Sequence, residues 1–359
     1  MSWAGRAIQV GGALLVLLVL ADVFLTVLFP ASGRGPIRRP LSRWTWRLFA
    51  VVARRLPMPR RRHLLAYSGP VQVATTVLAW VLLLIVGWAM VFQPALGEGV
   101  VAASGPTDIG WPTALYFSGF SFTTLGNGDV VPVTATYRLL TVVEAAVGFS
   151  VVTLALTYFL SVYSAITARK TFASSLYART YGTGTSARLL VGLAEDGELS
   201  GARERLSELA GFLTHTVETH RSYPVLRYFH FRQERYALPQ MLLVALDAAA
   251  LVSSGLDPDR YHGLIGSPAV FELSMAGQEL LGELGPHVRE EPPTAEVARR
   301  WEQHFGDAVA QLSGAGLQVA PDLQAATERY CALRSRWDAP LRALTRAMVY
   351  EWDEIEHAG

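Results

Sequence analysis

Residues Val71 to Phe92 form an uncharged apolar run of bilayer-spanning length, and no other feature constrains the fold of this chain as strongly. A span needs about 20 predominantly apolar residues, because a helix rises about 1.5 Å per residue through a hydrocarbon core about 30 Å thick. Two more segments reach that length. One is Ala7 to Pro30, interrupted by Asp22; the other is Tyr137 to Ala168, with Glu144 near its start and Gly148 inside. The last is longer than the hydrocarbon core, so its end is expected to project into water. The chain is 51% hydrophobic and 17% charged, with a mean hydropathy of +0.28. Soluble domains carry about 25% charged residues, so the composition argues against a wholly soluble protein and excludes chain-wide disorder.

Charge gives the orientation. Residues 1–170 hold 14 Lys and Arg against 5 Asp and Glu, whereas residues 171–359 hold 17 Arg against 25 Asp and Glu. The net charge of +1 therefore conceals a basic half and an acidic half. Ten arginines fall between Ala31 and Pro70 (Arg34, Arg38, Arg39, Arg43, Arg47, Arg54, Arg55, Arg60, Arg61 and Arg62), with no acid among them. The loop from Pro94 to Tyr137 has no Lys or Arg but contains Glu98, Asp108 and Asp129. The positive-inside rule predicts a multi-pass protein of the plasma membrane with 31–70 cytoplasmic and 94–136 outside. The N-terminus is then outside and the C-terminal half inside. A cleaved signal peptide is the competing reading of the first segment, but the basic residues lie on the wrong side of it.

Within the basic stretch, Leu41, Trp44, Leu48 and Val52 recur at helical spacing, and Arg43, Arg47 and Arg54 share another face. This predicts an amphipathic helix on the inner membrane surface. A voltage sensor would need arginine at every third position inside a span, and Pro57 and Pro59 follow instead.

From Thr171 the pattern is that of an all-α cytosolic domain. Gly182 and Gly184 mark a turn, and Leu206, Leu209, Leu213 and Val217 form one stripe of a helix over about 200–220. Further helices are predicted near 238–255, 269–284, 294–313 and 321–357, with breaks at Gly255–Pro258, Gly285–Pro286, Pro292–Pro293 and Gly314–Gly316. Leu238–Val252 is very apolar but short for a span, and it holds Pro239 and Asp247, so it reads as a buried core helix. Gly182-Thr-Gly184 lacks the third glycine and the preceding strand of a dinucleotide-binding turn. His215, Glu218 and His220 do not bring both histidines to one face, so a solvated polar face is expected there rather than a metal site. Tyr223 to Tyr236, with Arg227, His230, Arg232 and Arg235, reads as a packed turn with exposed arginines; a surface for an anionic ligand or the membrane is the alternative. The acidity of this half disfavours nucleic acid. No nucleophile–base arrangement is discernible, so no enzymatic activity is expected. The single cysteine, Cys331, excludes an intrachain disulfide or a cysteine-based zinc site.

The most informative stretch is Trp111-Pro-Thr-Ala-Leu-Tyr-Phe-Ser-Gly-Phe-Ser-Phe-Thr-Thr-Leu-Gly-Asn-Gly-Asp129. Pro112 suits the first position of a helix. A helix from Pro112 to about Phe122 is only half a bilayer long, so at membrane depth it must be re-entrant and packed inside protein. Its C-terminal end carries a partial negative charge that favours a cation. In the following Thr124-Leu125-Gly126-Asn127-Gly128, alternating glycines can take positive φ, which lets successive carbonyls aim at one axis. The Thr124 hydroxyl adds a further oxygen. One chain supplies one wall, so a closed pore implies a homotetramer.

Thr123-Thr124-Leu125-Gly126-Asn127-Gly128-Asp129, followed by Pro132, resembles the selectivity filter of potassium channels, whose signature is T-V-G-Y-G-D. The flanking spans resemble the outer and inner helices of the two-transmembrane pore domain, over about residues 71–168. The resemblance implies ion-coordinating carbonyls from Thr124, Leu125, Gly126 and Asn127. It also implies an outer-mouth aspartate at Asp129 and a gating hinge at Gly148, for which a close-packing glycine is the equal alternative. Asn127 replaces the aromatic residue that braces the filter in that family. Asn is too short to reach as far, although Tyr116, Phe117 and Ser121 remain on the pore helix as supports. Reduced discrimination between potassium and sodium is expected from this change. Glu144 reads as a hydrogen-bonded group behind the filter or, alternatively, as a direct ion ligand; Asp22 has no partner identifiable in the sequence.

The expected architecture is thus an all-α membrane protein. It has an N-terminal transmembrane helix in 1–30, a basic cytoplasmic linker in 31–70, a tetrameric pore domain in 71–170 and a helical cytosolic domain in 171–359. The function implied is a passive potassium channel with weakened selectivity over sodium. The alternatives are a non-selective monovalent cation channel and, from another class, a non-conducting membrane-anchored sensor or scaffold. No cofactor is expected beyond potassium or sodium as permeant ions. The partners expected are the bilayer and further copies of the chain, and an unidentified cytosolic ligand stays open. The cytosolic domain is expected either to bias the inner helices or simply to assemble the chains.

Overall fold

The apolar runs become helices because a helix satisfies its backbone groups within one segment. The computed structural model describes residues 2–29, 35–194, 197–285 and 293–356, and these divide into two compact units: 1–48 with 70–164, and 49–69 with 165–359. Pro30, Ala31, Arg34, Pro286, Pro292 and the end of the last predicted helix lie outside the described residues.

In the first unit, α1 (Trp3–Val23) continues as a π-helical turn over Phe24–Leu28. Helix α2 (Arg38–Arg54) and a short α3 (Met58–Ala66) follow, then α4 (Ser68–Phe92). The C-terminal end of α2, from Phe49, and all of α3 belong to the second unit. A three-residue strand β1 (Val100–Ala102), the short helix α5 (Trp111–Phe122) and a strand β2 (Val130–Pro132) lead into α6 (Ala135–Arg179). The strands pair antiparallel with Val101 opposite Val131, a ribbon the sequence did not announce. Val19, Trp80, Leu84, Phe92 and Phe117 form the core of this unit. The Gln9 amide, on α1, donates to the Val91 carbonyl at 3.0 Å and the Tyr137 hydroxyl at 2.9 Å. The predicted amphipathic helix is α2, and its Trp44, Leu48, Val51 and Val52 are exposed.

At about 1.5 Å per residue, the 45 residues of α6 extend about 68 Å, well beyond a hydrocarbon core. Its last part enters the second unit. That unit also holds α7 (Ser186–Val191), α8 (Ala202–Ser222), α9 (Leu238–Gly255), α10 (His262–Ile265), α11 (Pro268–Leu284), α12 (Ala295–Gly314), α13 (Leu323–Arg334), α14 (Asp338–Ala347) and α15 (Trp352–Glu356). Among the described residues four helices, those holding Trp3–Leu28, Met58–Ala95, Ala135–Arg179 and Leu238–Gly255, are long and apolar enough to cross a membrane by length and composition. The fourth, α9, has 94% of its apolar window buried inside its own unit, packed by α7, α11 and α13, so it is a core helix.

One boundary expectation is overturned. The single helix predicted over 321–357 is three helices, α13 to α15. Pro340 lies in the first turn of α14, where a missing N–H is harmless, and proline disfavours a helix running into it. Val349, at φ 61°, ends α14.

Candidate functional site

The short helix α5 begins behind Asp108, whose carboxylate accepts from the Gly110 N–H at 3.0 Å and the Thr113 hydroxyl at 2.7 Å. Phe117 is fully buried, edge-on to Phe92 at 4.9 Å and to Phe120 at 5.3 Å. These aromatic contacts fix α5 against α4. Ser121 is buried as well.

After Phe122 the chain leaves the helix. The Thr124 N–H donates to the Ser121 carbonyl at 3.1 Å and the Leu125 N–H to the Phe120 carbonyl at 2.9 Å. Three alternate residues then take the left-handed region: Thr124 at φ 58°, Gly126 at 66° and Gly128 at 75°. The sequence pointed to the two glycines; Thr124 is an addition, and a β-branched residue there is strained. A backbone that alternates hand can present successive carbonyls to one side, which a regular strand cannot. Thr123 to Asp129 are exposed in the single chain. Asp129 accepts from the Val130 N–H at 3.1 Å, and its carbonyl accepts from the Ala103 N–H at 2.8 Å, which ties the end of the loop to the ribbon.

Asn127, although shorter than the aromatic residue it replaces, makes contact with the short helix. Its Nδ2 donates to the Tyr116 hydroxyl at 2.5 Å, and the Tyr116 ring stands edge-on to Phe120 at 5.2 Å. Glu144 is fully buried on α6 and accepts from the Ser118 hydroxyl at 2.6 Å. That hydroxyl also lies 2.9 Å from the Ile85 carbonyl oxygen. Ser118 therefore links three helices, and the sequence reading missed it; a buried acid requires a donor, and a polar residue on the neighbouring short helix was the available signal. Gly148 abuts the carbonyl of Phe122, the last residue of α5, where any Cβ would collide.

Asp22 has found its partners. Its Oδ2 accepts from Trp80 Nε1 at 2.7 Å, and its Oδ1 accepts from the N–H groups of Ile37 at 2.7 Å and Arg38 at 3.3 Å. A carboxylate from α1 thus caps the start of α2, satisfying donors that a helix N-terminus leaves open.

In the second unit as in the first, no group of three metal-ligating side chains occurs among the described residues. His220 is buried rather than solvated, with Nδ1 2.9 Å from the Thr216 carbonyl oxygen, and Glu218 pairs with Arg221 at 2.8 Å. The Tyr223–Tyr236 stretch is packed. Ser68 donates to the Tyr228 carbonyl at 2.6 Å, Arg227 to the Leu284 carbonyl at 3.0 Å, and His230 is buried.

The strongest polar cluster of this unit surrounds Asp247 on α9. It accepts from Ser186, Tyr330, His304 Nε2 at 3.0 Å and Arg334 Nη1 at 3.5 Å. Burial alone would push the Asp247 carboxyl up, but His304 and Arg334 outweigh it and hold the group below the usual carboxylate range. Asp247 in turn raises the His304 imidazole. Ser186 and His304 meet the same carboxylate oxygen, so the serine proton points to the acid and not to the imidazole. This arrangement does not activate a nucleophile.

Comparison with known proteins adds two findings. Residues 77–165 match the family model described as "Ion channel". The chain is also 27% identical over 261 residues to the "Uncharacterized membrane protein YdjJ" of Bacillus subtilis (strain 168), covering 70% of this chain and 71% of that protein. No solved structure matches. The matched residues hold α5, the Thr124–Gly128 segment and the larger parts of α4 and α6, and they support an ion channel carried by a membrane protein.

Proposed function

We propose that this chain is a subunit of a homotetrameric channel that passes potassium down its gradient through the Thr124–Gly128 segment. The observation that carries this reading is the alternate left-handed backbone at Thr124, Gly126 and Gly128, directly after a half-bilayer helix. Four such segments around one axis would replace the hydration shell of a monovalent cation with backbone carbonyls and the Thr124 hydroxyl. Asp129, exposed beyond Gly128, would raise the local cation concentration at the outer mouth. Ten arginines in 31–70 put that stretch in the cytoplasm of a plasma membrane protein, with the N-terminus outside and the C-terminal unit inside. Gly148, held against α5, would serve as the point about which the inner helix pivots.

Weakened selectivity over sodium is a second reading, favoured by one observation. The filter position usually held by a packed aromatic ring is held by Asn127 through a single hydrogen bond.

Purified protein in liposomes tests both. Wild type should carry potassium flux, with sodium flux lower but measurable. Gly126→Ala and Gly128→Ala should abolish flux, because both positions need positive φ. No flux with wild type, or unchanged flux in both variants, would favour a non-conducting sensor or scaffold.

A further inference from the structure

The last part of α6 buries an arginine that has no carboxylate partner among the described residues. Arg169 is 5% exposed. Its Nη2 donates to the Phe229 carbonyl at 2.8 Å, and the Phe231 ring faces the guanidinium at 4.8 Å. Its Nε and Nη1 are closed off from solvent and make no hydrogen bond among the described residues. A buried guanidinium without a counter-charge is costly, and two unmade hydrogen bonds add to that cost.

Beside it lies a cavity of about 10 Å³, lined by Arg169, Phe212, His215, Thr216 and His220. A space of that size holds about one water or one monatomic ion. His220, 4% exposed, supplies a third unsatisfied atom, Nε2. Because Nδ1 faces the Thr216 carbonyl oxygen, which only accepts, Nδ1 carries the ring proton and the neutral ring offers a lone pair at Nε2. The Thr216 and Thr219 hydroxyls are already spent on the Phe212 and His215 carbonyls.

We propose that the cavity between Arg169 and His220 is a binding site for a small monovalent inorganic anion of chloride size. The anion pairs with the guanidinium and draws a proton onto His220 Nε2, which turns a repelling lone pair into a donor. Affinity therefore rises as pH falls. The other groups facing His220 reinforce this sign. Arg227, in the turn after α8, adds positive charge. Glu218, on α8 itself, is exposed and held by Arg221. His215 lines the cavity from its exposed side. Bound anion fastens α6 to α8 at the point where the long helix enters this unit.

The test melts the purified full chain in sodium chloride against sodium gluconate at one ionic strength, at pH 6 and pH 8. Wild type should gain a saturable chloride-dependent rise in Tm of about 2–5 °C, larger at pH 6. Arg169→Gln should lose the rise, and His220→Gln should make it independent of pH. Should Arg169→Gln not fold, Arg169→Lys should show a chloride midpoint raised several-fold. Sodium phosphate at the same ionic strength serves as the probe for a larger oxyanion. Equal melting in chloride and gluconate means that water fills the cavity, and it overturns the proposal. So does a chloride shift that survives Arg169→Gln, an unchanged midpoint in Arg169→Lys, or a response to phosphate alone.

Discussion

Asn127 and Tyr116 are joined by a 2.5 Å hydrogen bond within one chain, from the amide nitrogen to the phenol oxygen. Tyr116→Phe keeps the ring against Phe120 and removes the acceptor. A neutral hydrogen bond is worth about 1 kcal/mol, about a fivefold change in an equilibrium. If the bond holds the segment at a fixed width, the sodium-to-potassium permeability ratio should rise on the order of fivefold in Tyr116→Phe, read as a reversal-potential shift under bi-ionic conditions. A ratio equal to wild type would remove Tyr116 as a brace.

Asp22 satisfies the Trp80 indole and two N–H groups at the start of α2 with one carboxylate. Asp22→Ala leaves the buried Trp80 donor unpaired and uncaps the helix. The combined cost should be about 2–4 kcal/mol. Amide hydrogen exchange at Ile37 and Arg38 should accelerate by at least tenfold, while exchange within α4 away from Trp80 changes little. Equal protection in wild type and variant would show that the cap contributes nothing.

These two contacts mark where sequence reading stops. The spans, the half-length helix and the glycine alternation were legible because length and local backbone preference act within one segment. Trp80 and Ile37 were not legible as the partners of Asp22, because nothing local to residue 22 specifies which distant donor meets it. Asn127 was read by side-chain length against an aromatic ring, but its actual reach depends on where Tyr116 is held by Phe120. The break of the last helix was legible in principle, since Pro340 stands in the sequence. The Asp247 cluster was not, because its partners, residues 186, 304, 330 and 334, come from three different helices, α7, α12 and α13.

Gly148 offers a steric test. A Cβ there would collide with the Phe122 carbonyl, which is backbone at the end of α5 and has no side-chain freedom to yield. Gly211, an exposed glycine of α8, has open space around it. Gly148→Ala should therefore lower the Tm in detergent and reduce ion flux, whereas Gly211→Ala should raise stability by about 0.5–1 kcal/mol. A Gly148→Ala protein with wild-type Tm and flux would show that α5 and α6 can separate at that point without cost.

The half-buried His304 and the buried His220 of the second unit should give its stability opposite slopes on either side of about pH 6.5. Asp247 raises the His304 imidazole above its ordinary value near 6.5, so the native state holds that proton more tightly than the unfolded chain. The stability it adds is complete below about pH 6.5 and is lost as pH rises through the raised value. His220 runs the other way. Burial, aided by the Arg169 charge, pushes it down to about 3, so the native state resists a proton that the unfolded chain accepts. Its effect is to lower stability as pH falls below about 6.5, by about 1.4 kcal/mol per pH unit at most. Denaturant unfolding in gluconate buffer from pH 5 to 8.5 should therefore show a maximum near 6.5. His304→Asn should flatten the alkaline limb and leave the acid limb, whereas His220→Asn should leave the alkaline limb and make the acid limb shallower without removing it, because burial also pushes His230 down, to about 4. An alkaline limb that persists in His304→Asn would mean that the 3.0 Å contact with Asp247 carries no proton-linked stability.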